Sequence, residues 1–576
     1  MKKLLVYLNE YKKECVLSPL FKLLEVLFEL TVPLVVASMI DVGIAGANRR
    51  YVLFMGLTLA GLAVGGMAVA ITAQYFAAKA AVGSASRLRH ALFDHLQHLS
   101  YAQLDALGTS TMITRLTSDV NQFQTGINMG LRLLLRSPFV VFGAMLMAFT
   151  IDRQAALIFL GVIALLFVVV GVIMGVTIPL YRTVQQKLDR VLGATRENLT
   201  GVRPIRAFCK ENDEIEAFSR RNSELEQMQQ HVGRISALMN PLTYVLLNAA
   251  ILVLIYTGAL RVQSGLLTQG AVVALYNYMS QILVELIKLA NLIITLTKSV
   301  ASAGRISKVF DVLPDQQAPH TPVPAEKMAS DTIVEFDHVS LTYPGAGGES
   351  LSDISFCAKA GEVIGVIGST GSGKTSLVNL IPRFYDATAG TVRVRGVNVS
   401  DYPMDQLREK IGVVPQRAVL FQGTIRENIL WGNPHATLPQ IQSAIQTAQA
   451  GDVVASKAEG LDAPIEQGGR NLSGGQRQRL TIARALVREP EILILDDSAS
   501  ALDYATDSRL RAAIARMPGR PTVFIVSQRT ASIRYADQIL VLDDGRLAGK
   551  GTHEQLLESC PIYREIYESQ FPKEAV

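Results

Sequence analysis

The sequence predicts a multi-domain chain: an all-α polytopic membrane domain of six helices, followed by an α/β domain built round a P-loop. The first part of that prediction rests on composition. Of 576 residues, 49% are hydrophobic and the mean hydropathy is positive, which is more apolar chain than one soluble domain buries, and the excess lies before residue 310. The second part rests on the octapeptide Gly368-Ser369-Thr370-Gly371-Ser372-Gly373-Lys374-Thr375. It follows the apolar run Val363 to Ile367 and precedes a helical stretch beginning near Ser376. Strand, glycine-rich loop and helix in that order are what a phosphate cradle requires.

Four uncharged stretches are long enough to cross a bilayer: Tyr51 to Ala78, Ala155 to Tyr181, Ile235 to Leu260, and Val262 to Val284. Two further spans are less clean. Val16 to Ile40 carries Lys22, Glu25 and Glu29, and Ser137 to Ile151 reaches spanning length only when Leu131 to Arg136 joins it. Counting both makes six crossings. The arginine-rich segments Lys79 to Arg136 and Arg182 to Arg234 belong inside, and the short outer loops carry only Arg49, Arg50, Arg153 and Arg261. A multi-pass protein of the cell (inner) membrane is therefore expected, with the second domain in the cytoplasm.

Leu88, Leu92, Leu96 and Leu99 recur at helical spacing in one inner loop, and Glu214, Glu216, Glu224 and Glu226 alternate with basic residues in the other. Both loops read as helical hairpins that extend the membrane helices. At the start, Leu4, Leu5, Leu8 and Tyr11 share a helical face, so an interfacial helix over residues 1–14 is expected, with a simple extension of the first crossing as the alternative. A cleaved signal peptide is not expected, because the apolar run Leu4 to Leu8 is short and charges follow at once.

Pro314 to Asp331 contains four prolines and fits neither helix nor strand periodicity. This divides the chain into a membrane domain at 1–313, a linker at 314–331 and an α/β domain at 332–576. Cys15, Cys209, Cys357 and Cys560 all map to the reducing side, so no disulfide or metal framework is implied. The net charge of +5 is accounted for by the inner loops, and no nucleic-acid module is present.

The glycines of the octapeptide let backbone amides converge on phosphate oxygens, Lys374 reaches the outer phosphates, and the Thr375 hydroxyl can ligate magnesium. A second apolar run, Ile492 to Leu495, delivers Asp496 at a strand end, where it polarises the magnesium shell. Between them stands Leu472-Ser473-Gly474-Gly475-Gln476; an ordinary turn and helix cap is the plainer explanation of that segment alone. With Tyr343, Gln416 and the turn Ser500-Ala501-Leu502-Asp503, the set over residues 332–576 resembles the ATP-binding-cassette (ABC) family, and with the six-helix domain an exporter-type half-transporter.

The resemblance implies roles for these residues. Tyr343 would stack on adenine, Gln416 would sense magnesium and the membrane domain, and Leu472 to Gln476 would clamp ATP held by a second cassette. The Ser500 to Asp503 turn would lie at the cassette interface. Elements near Thr117 to Gln122 and Arg203 to Lys210 would dock on cassettes. With the membrane region starting at once, no amino-terminal protease domain is expected, which argues against a peptide exporter that trims its own leader.

Two positions depart from the family pattern. Efficient hydrolysing members carry Glu where this chain has Asp497, and His where it has Gln528. A carboxylate one methylene short is displaced by about 1 Å, which costs on the order of a hundredfold when it orients attacking water. Gln528 can still donate a hydrogen bond to the terminal phosphate, but it cannot become a cation. ATP and Mg2+ binding is expected to survive while turnover falls. Because a signature serves the opposite cassette, the intact one here points to a heterodimer in which this chain's own site is degenerate. A homodimer that hydrolyses slowly at two equal sites is the alternative.

Ionisable residues inside apolar spans are expensive and often functional: Glu25 and Glu29 lie one turn apart, and Glu285 stands near Lys288. These carboxylates are expected to face a central cavity that takes a small amphipathic molecule from the bilayer. Pairing of Lys22 with Glu25 and of Glu285 with Lys288 is the competing explanation. A lipid or peptide translocator, an importer on the same scaffold, and a nonhydrolytic regulatory subunit remain the other functions compatible with the sequence.

Overall fold

The computed structural model describes residues 2–316, 319, 321–324 and 330–571 and falls into two compact units. One comprises residues 1–95 and 110–311, the other residues 96–109 and 312–576. Several residues of the expected 314–331 linker lie outside the described residues, and its described residues form no helix or strand.

Among the described residues, six long helical segments form most of the first unit: Lys3–Ile44, Arg49–Gln97, Thr109–Ile151, Arg153–Thr200, Glu211–Gln263 and Gln269–Phe310. Each is apolar and long enough to cross a membrane. At 1.5 Å per residue they measure roughly 60–80 Å, against a hydrocarbon core of about 30 Å, so each continues well beyond it. Residues Lys2–Tyr11 form a 3-10 helix that runs into the helix Lys12–Ser38 at Tyr11. It is tied down by Lys3 to Asp311 at 2.6 Å and Glu10 to Arg87, and the start of the following helix by Glu14 to Lys79 at 2.8 Å.

The last crossing differs from expectation. Residues 264–268 form the turn, so Val262 and Gln263 end the preceding helix and the final one begins at Gln269. Thr268 caps it by accepting from the Ala271 amide, and the Asp41 carboxylate accepts from the Gly270 amide at 2.7 Å. Gln263, Ser264, Gly265, Thr268 and Gln269 all interrupt the apolar run, but none is charged, so a search for uncharged stretches passes straight through the turn that Ser264-Gly265 marks. Val26, Leu30, Val140, Phe159, Leu254, Tyr278 and Ile282 make the core, and the Tyr278 hydroxyl donates to the Leu30 carbonyl at 2.6 Å. Gly126 allows close approach of two helices: a Cβ there would lie 2.0 Å from Ser299 Oγ. The most apolar stretch of Arg49–Gln97 buries nothing within the chain, and Leu53, Phe54, Leu57, Met67 and Ile71 stand exposed on it.

Among the described residues, twelve strands order the second unit: β1 (Thr332–Leu341), β2 (Leu351–Lys359), β3 (Val363–Gly368), β4 (Ala389–Val394), β5 (Val397–Asn398), β6 (Ile411–Val414), β7 (Gly423–Thr424), β8 (Pro464–Ile465), β9 (Ile492–Asp496), β10 (Thr522–Val526), β11 (Gln538–Asp543) and β12 (Arg546–Gly551). The six-stranded sheet runs β12-β11-β3-β10-β9-β6, parallel except at β12. Its central strands β9 and β10 are buried throughout and β3 is buried after Val363, which is why they read as continuous apolar runs. An antiparallel sheet, β2-β1-β4-β5, packs its Phe336 and Phe356 against Phe524 of β10.

The segment 96–109 belongs with this second unit. Ser100 and Gln103 form a capping box that starts the helix Tyr101–Leu107. Tyr101 packs on Phe384 with centroids 4.7 Å apart, Asp105 accepts from the Tyr385 hydroxyl at 2.8 Å, and the Gln103 amide donates to the Leu313 carbonyl. The element expected near Thr117 to Gln122 lies in the first unit. There, Asp119 is buried and paired with Arg115 and Arg305 inside the first unit, so its charge is already satisfied. The second expected element, by contrast, is open: in the helix Val202–Ala207 and the turn after it, Arg203, Arg206 and Phe208 are exposed.

Candidate functional site

The parallel strands β3, β9 and β10 end side by side, so the loops that follow them converge, as expected at the carboxyl edge of an open α/β sheet. A cavity of about 240 Å³ opens there, lined among others by Thr370, Gly371, Gly373, Lys374 and Thr375 from the first loop, and by Gln416, Asp496, Asp497 and Gln528. Gly371 and Gly373 hold φ of 86° and 94°, the left-handed region that other residues avoid. A Cβ on Gly368 would meet the Leu542 carbonyl at 2.1 Å, so the loop leaves its strand only as glycine. The Lys374 ammonium folds back on the carbonyls of Gly368 at 3.0 Å and Ser369 at 2.6 Å, and lies 3.4 Å from the Ser372 hydroxyl.

Burial lowers the proton affinity of Lys374 despite the opposing carboxylates of Asp497 and Asp496. Burial raises that of Asp496, and Asp497 adds to it, while the Thr375 hydroxyl and Lys374 pull the other way. Thr375 Oγ1 donates to both Asp496 oxygens, at 3.0 and 3.1 Å. A hydroxyl, a carboxylate and the amide of Gln416 make a hard-oxygen donor set that suits magnesium, with Lys374 and the loop amides left for phosphate oxygens. Bound there, the ion would neutralise phosphate charge.

Asp497 is the unusual member. It sits at φ 47°, its amide donates to the Val526 carbonyl at 3.0 Å, and its carbonyl accepts from the Ser500 hydroxyl at 2.8 Å. The Gln416 amide donates to its carboxylate at 3.4 Å. Gln528 follows β10 and faces the same cavity. Tyr343 does not line the cavity wall directly; its hydroxyl donates to the Ser376 hydroxyl at 2.9 Å, and its ring meets Tyr385 edge-on at 5.0 Å.

Ser473 caps the helix Gly474–Leu486 reciprocally with Gln476. Leu472 is buried beneath it, whereas Ser473 and Gly474 are exposed. A Cβ on Gly475 would lie 3.0 Å from the Ala501 carbonyl, which brings this segment against the Ser500 to Asp503 turn. Asp503 caps the next helix by accepting from the Thr506 amide and hydroxyl, both at 2.8 Å, and Leu502 is buried.

The matches to known proteins agree with this arrangement. Residues 15–286 match the ABC transporter transmembrane region and residues 351–500 match the ABC transporter family. An uncharacterized ABC transporter ATP-binding protein of Bacillus subtilis, YfiB, is 36% identical over all of this chain and 99% of its own length. The chain belongs to the ABC transporter family. Among other relatives of this transporter, the putative multidrug export ATP-binding/permease protein YgaD of Bacillus subtilis is 31% identical, over 99% of each chain. The structure of a bacterial Atm1-family ABC exporter with ATP bound shares the fold at a TM-score of 0.81, covering 98% of this chain and 99% of that one at 22% identity.

The transporter's intramembrane carboxylates are not bare. Arg136 donates to Glu29 at 2.8 Å and to Glu285, and lies 3.7 Å from Glu25. Lys22 pairs with Glu25 at 2.5 Å, and Lys288 and Ser137 donate to Glu285 at 2.8 and 2.9 Å. Three cations therefore balance three carboxylates. Glu285 lines one of the grooves beside the cluster, but its side chain is only 4% exposed and its polar contacts go to the cluster. Glu29 is the most open of the three at 37% and borders two grooves, one shared with Glu25 and one with Lys288. The sequence showed both short-range pairs but missed Arg136 as the centre, since nothing in residue spacing joins position 136 to 25, 29 and 285.

Proposed function

We propose that this ABC transporter chain is one half of a heterodimeric exporter of small amphipathic molecules, with its own ATP site degenerate and its signature completing the partner's hydrolytic site. The supporting observation is the pairing of an intact cradle with altered catalytic positions. Lys374, Thr375 and Asp496 are set to hold MgATP, whereas the residue after Asp496 is a short carboxylate engaged with Gln416, and Gln528 brings no cation. Ser473 and Gly474 are exposed and do not line this chain's own nucleotide cavity, which leaves them available to a second cassette.

In this reading two ATP molecules sandwiched between cassettes favour the outward-open state, and hydrolysis at the partner's site resets it, a population shift driven by differential nucleotide affinity. The helix Tyr101–Leu107 carries the movement on this chain's own cassette, and the exposed Arg203 to Phe208 turn meets the partner's. Because the buried charges near Glu285 cancel, the substrate is recognised mainly through its apolar surface. The domain limits 1–313, 314–331 and 332–576 belong to the same proposal.

The test compares ATP turnover of the pure chain in lipid discs with that of the complex recovered from native cells. Weak turnover alone and strong turnover in a one-to-one complex with a second half-transporter supports the proposal. Brisk turnover by the pure homodimer refutes it.

A further inference from the structure

The loop that presents Gln528 is held by a residue outside the family motifs. Gln528 and Arg529 lie exposed between β10 and the short helix Thr530–Ile533, whose first residue is fully buried. Thr530 has an amide and a hydroxyl to satisfy at that buried position, and both donate to one acceptor, Gln570 Oε1, at 2.9 and 2.7 Å. The same side chain's Nε2 donates to the Gln528 carbonyl at 2.7 Å. Gln570 is the last residue of the helix Pro561–Gln570, forty residues along the chain, and it straddles the loop like a staple.

That helix is a firm base. Tyr563 is fully buried and its hydroxyl meets His553 Nδ1 at 2.8 Å, while Ile562 and Ile566 pack on the core that contains Leu495, Ile525 and Ile533. The loop is also fixed on its other side: Ser527 Oγ accepts from the Arg529 amide at 2.9 Å, and the Ser527 amide donates to the Val366 carbonyl at 3.1 Å. Ser527 anchors the loop to the phosphate-loop strand, and Gln570 anchors it to the carboxyl-terminal helix. Between these anchors the Gln528 backbone has little freedom.

We propose that Gln570 is a positioning residue for the nucleotide site: its amide nitrogen, through the Gln528 carbonyl, sets where the Gln528 side chain stands relative to the terminal phosphate of ATP. The inference rests on the reading of Gln528 as a terminal-phosphate partner. It implies that the last helix of the chain controls how well this site tells a triphosphate from a diphosphate. A residue that only closed the helix and satisfied Thr530 would not do so.

Two variants separate these roles. Gln570→Glu keeps an oxygen for the Thr530 amide and hydroxyl but replaces the donor to the Gln528 carbonyl with a second acceptor; Gln570→Ala removes all three bonds. Affinities for the β,γ-imido analogue of ATP and for ADP, both with magnesium, are measured on the full-length protein in lipid discs. Gln528→Ala is the reference and lowers the triphosphate-over-diphosphate preference by about tenfold, the size of one hydrogen bond to a charged group. Gln570→Glu and Gln570→Ala produce the same fall within about twofold, with ADP affinity unchanged. Adding Gln528→Ala to Gln570→Glu brings no further loss, because both act through one contact.

Wild-type discrimination in Gln570→Glu, beside a loss in Gln528→Ala, overturns the proposal and leaves Gln570 as a structural cap. Unchanged discrimination in Gln528→Ala overturns the reading of Gln528 itself, and the positioning role with it. If Gln570→Ala fails to fold, Gln570→Glu, which retains the buried Thr530 bonds, decides the matter alone.

Discussion

The nucleotide site and the membrane ion-pair cluster both gather charged side chains in partly buried places, yet they are assembled differently. In the cassette, Lys374 and Thr375 sit within one turn of chain and meet Asp496 because two apolar strands end together. In the membrane unit, Arg136 reaches Glu25, Glu29 and Glu285 on two other helices, with no local motif to announce it. The first site is open to a ligand and carries an excess of negative charge. The second is neutral, its carboxylates paired within the cluster, with only Glu29 left partly open to the grooves beside it. The comparison teaches that charge in a membrane helix marks a substrate path only when it lacks a partner of its own.

The sharpest way to break this comparison is Arg136→Met. Removing the shared cation leaves buried carboxylates facing one another, and stability of the membrane unit falls by about 3–5 kcal/mol. Thermal unfolding in lipid discs should show a large drop in midpoint while ATP affinity of the cassette stays within twofold. An unchanged midpoint would mean that water or lipid headgroups already compensate the cluster.

Next in size is the double replacement Glu25→Gln with Glu29→Gln. Since the cluster is charge-balanced, export of cationic and neutral dyes should fall by the same severalfold factor, as helix packing around Arg136 loosens. Loss confined to cationic dyes would instead make Glu29 a recognition group, and the grooves beside it the substrate path.

Much of the cassette was legible from sequence because its chemistry is local. The glycines at 371 and 373, the burial of β9 and the cap at Ser473 follow from residue type and spacing. The six crossings were legible from hydropathy, but the turn at 264–268 was not, since an apolar run does not encode where a helix reverses. The docking helix Tyr101–Leu107 was passed over in favour of residues 117–122, although Ser100 and Gln103 carry the spacing of a capping box. Arg136 and Gln570 were invisible for one reason: their partners lie far along the chain, and only the packed fold brings them within 3 Å.

Smaller effects sharpen the cassette side. Ser473→Ala removes a helix cap worth about 1 kcal/mol, and in the heterodimer it should also lower turnover severalfold at the partner's site while nucleotide binding at this chain's own site is unaffected. Equilibrium binding beside steady-state turnover distinguishes the two. Smallest is Tyr385→Phe, which deletes the hydrogen bond to Asp105 at a cost of about 1 kcal/mol. Faster amide exchange limited to residues 101–107 is the expected outcome, and exchange spreading through β3 would show that the contact supports the whole cassette.

The central claim is that Asp497 and Gln528 weaken hydrolysis in an otherwise complete site. It is tested most directly by the double replacement Asp497→Glu with Gln528→His, with ATP turnover of the pure chain measured in lipid discs. Restoring the missing methylene and the ionisable ring should raise turnover on the order of a hundredfold, with ATP affinity little changed. Turnover that stays at the starting rate would contradict the account, because the limitation would then lie outside these two positions.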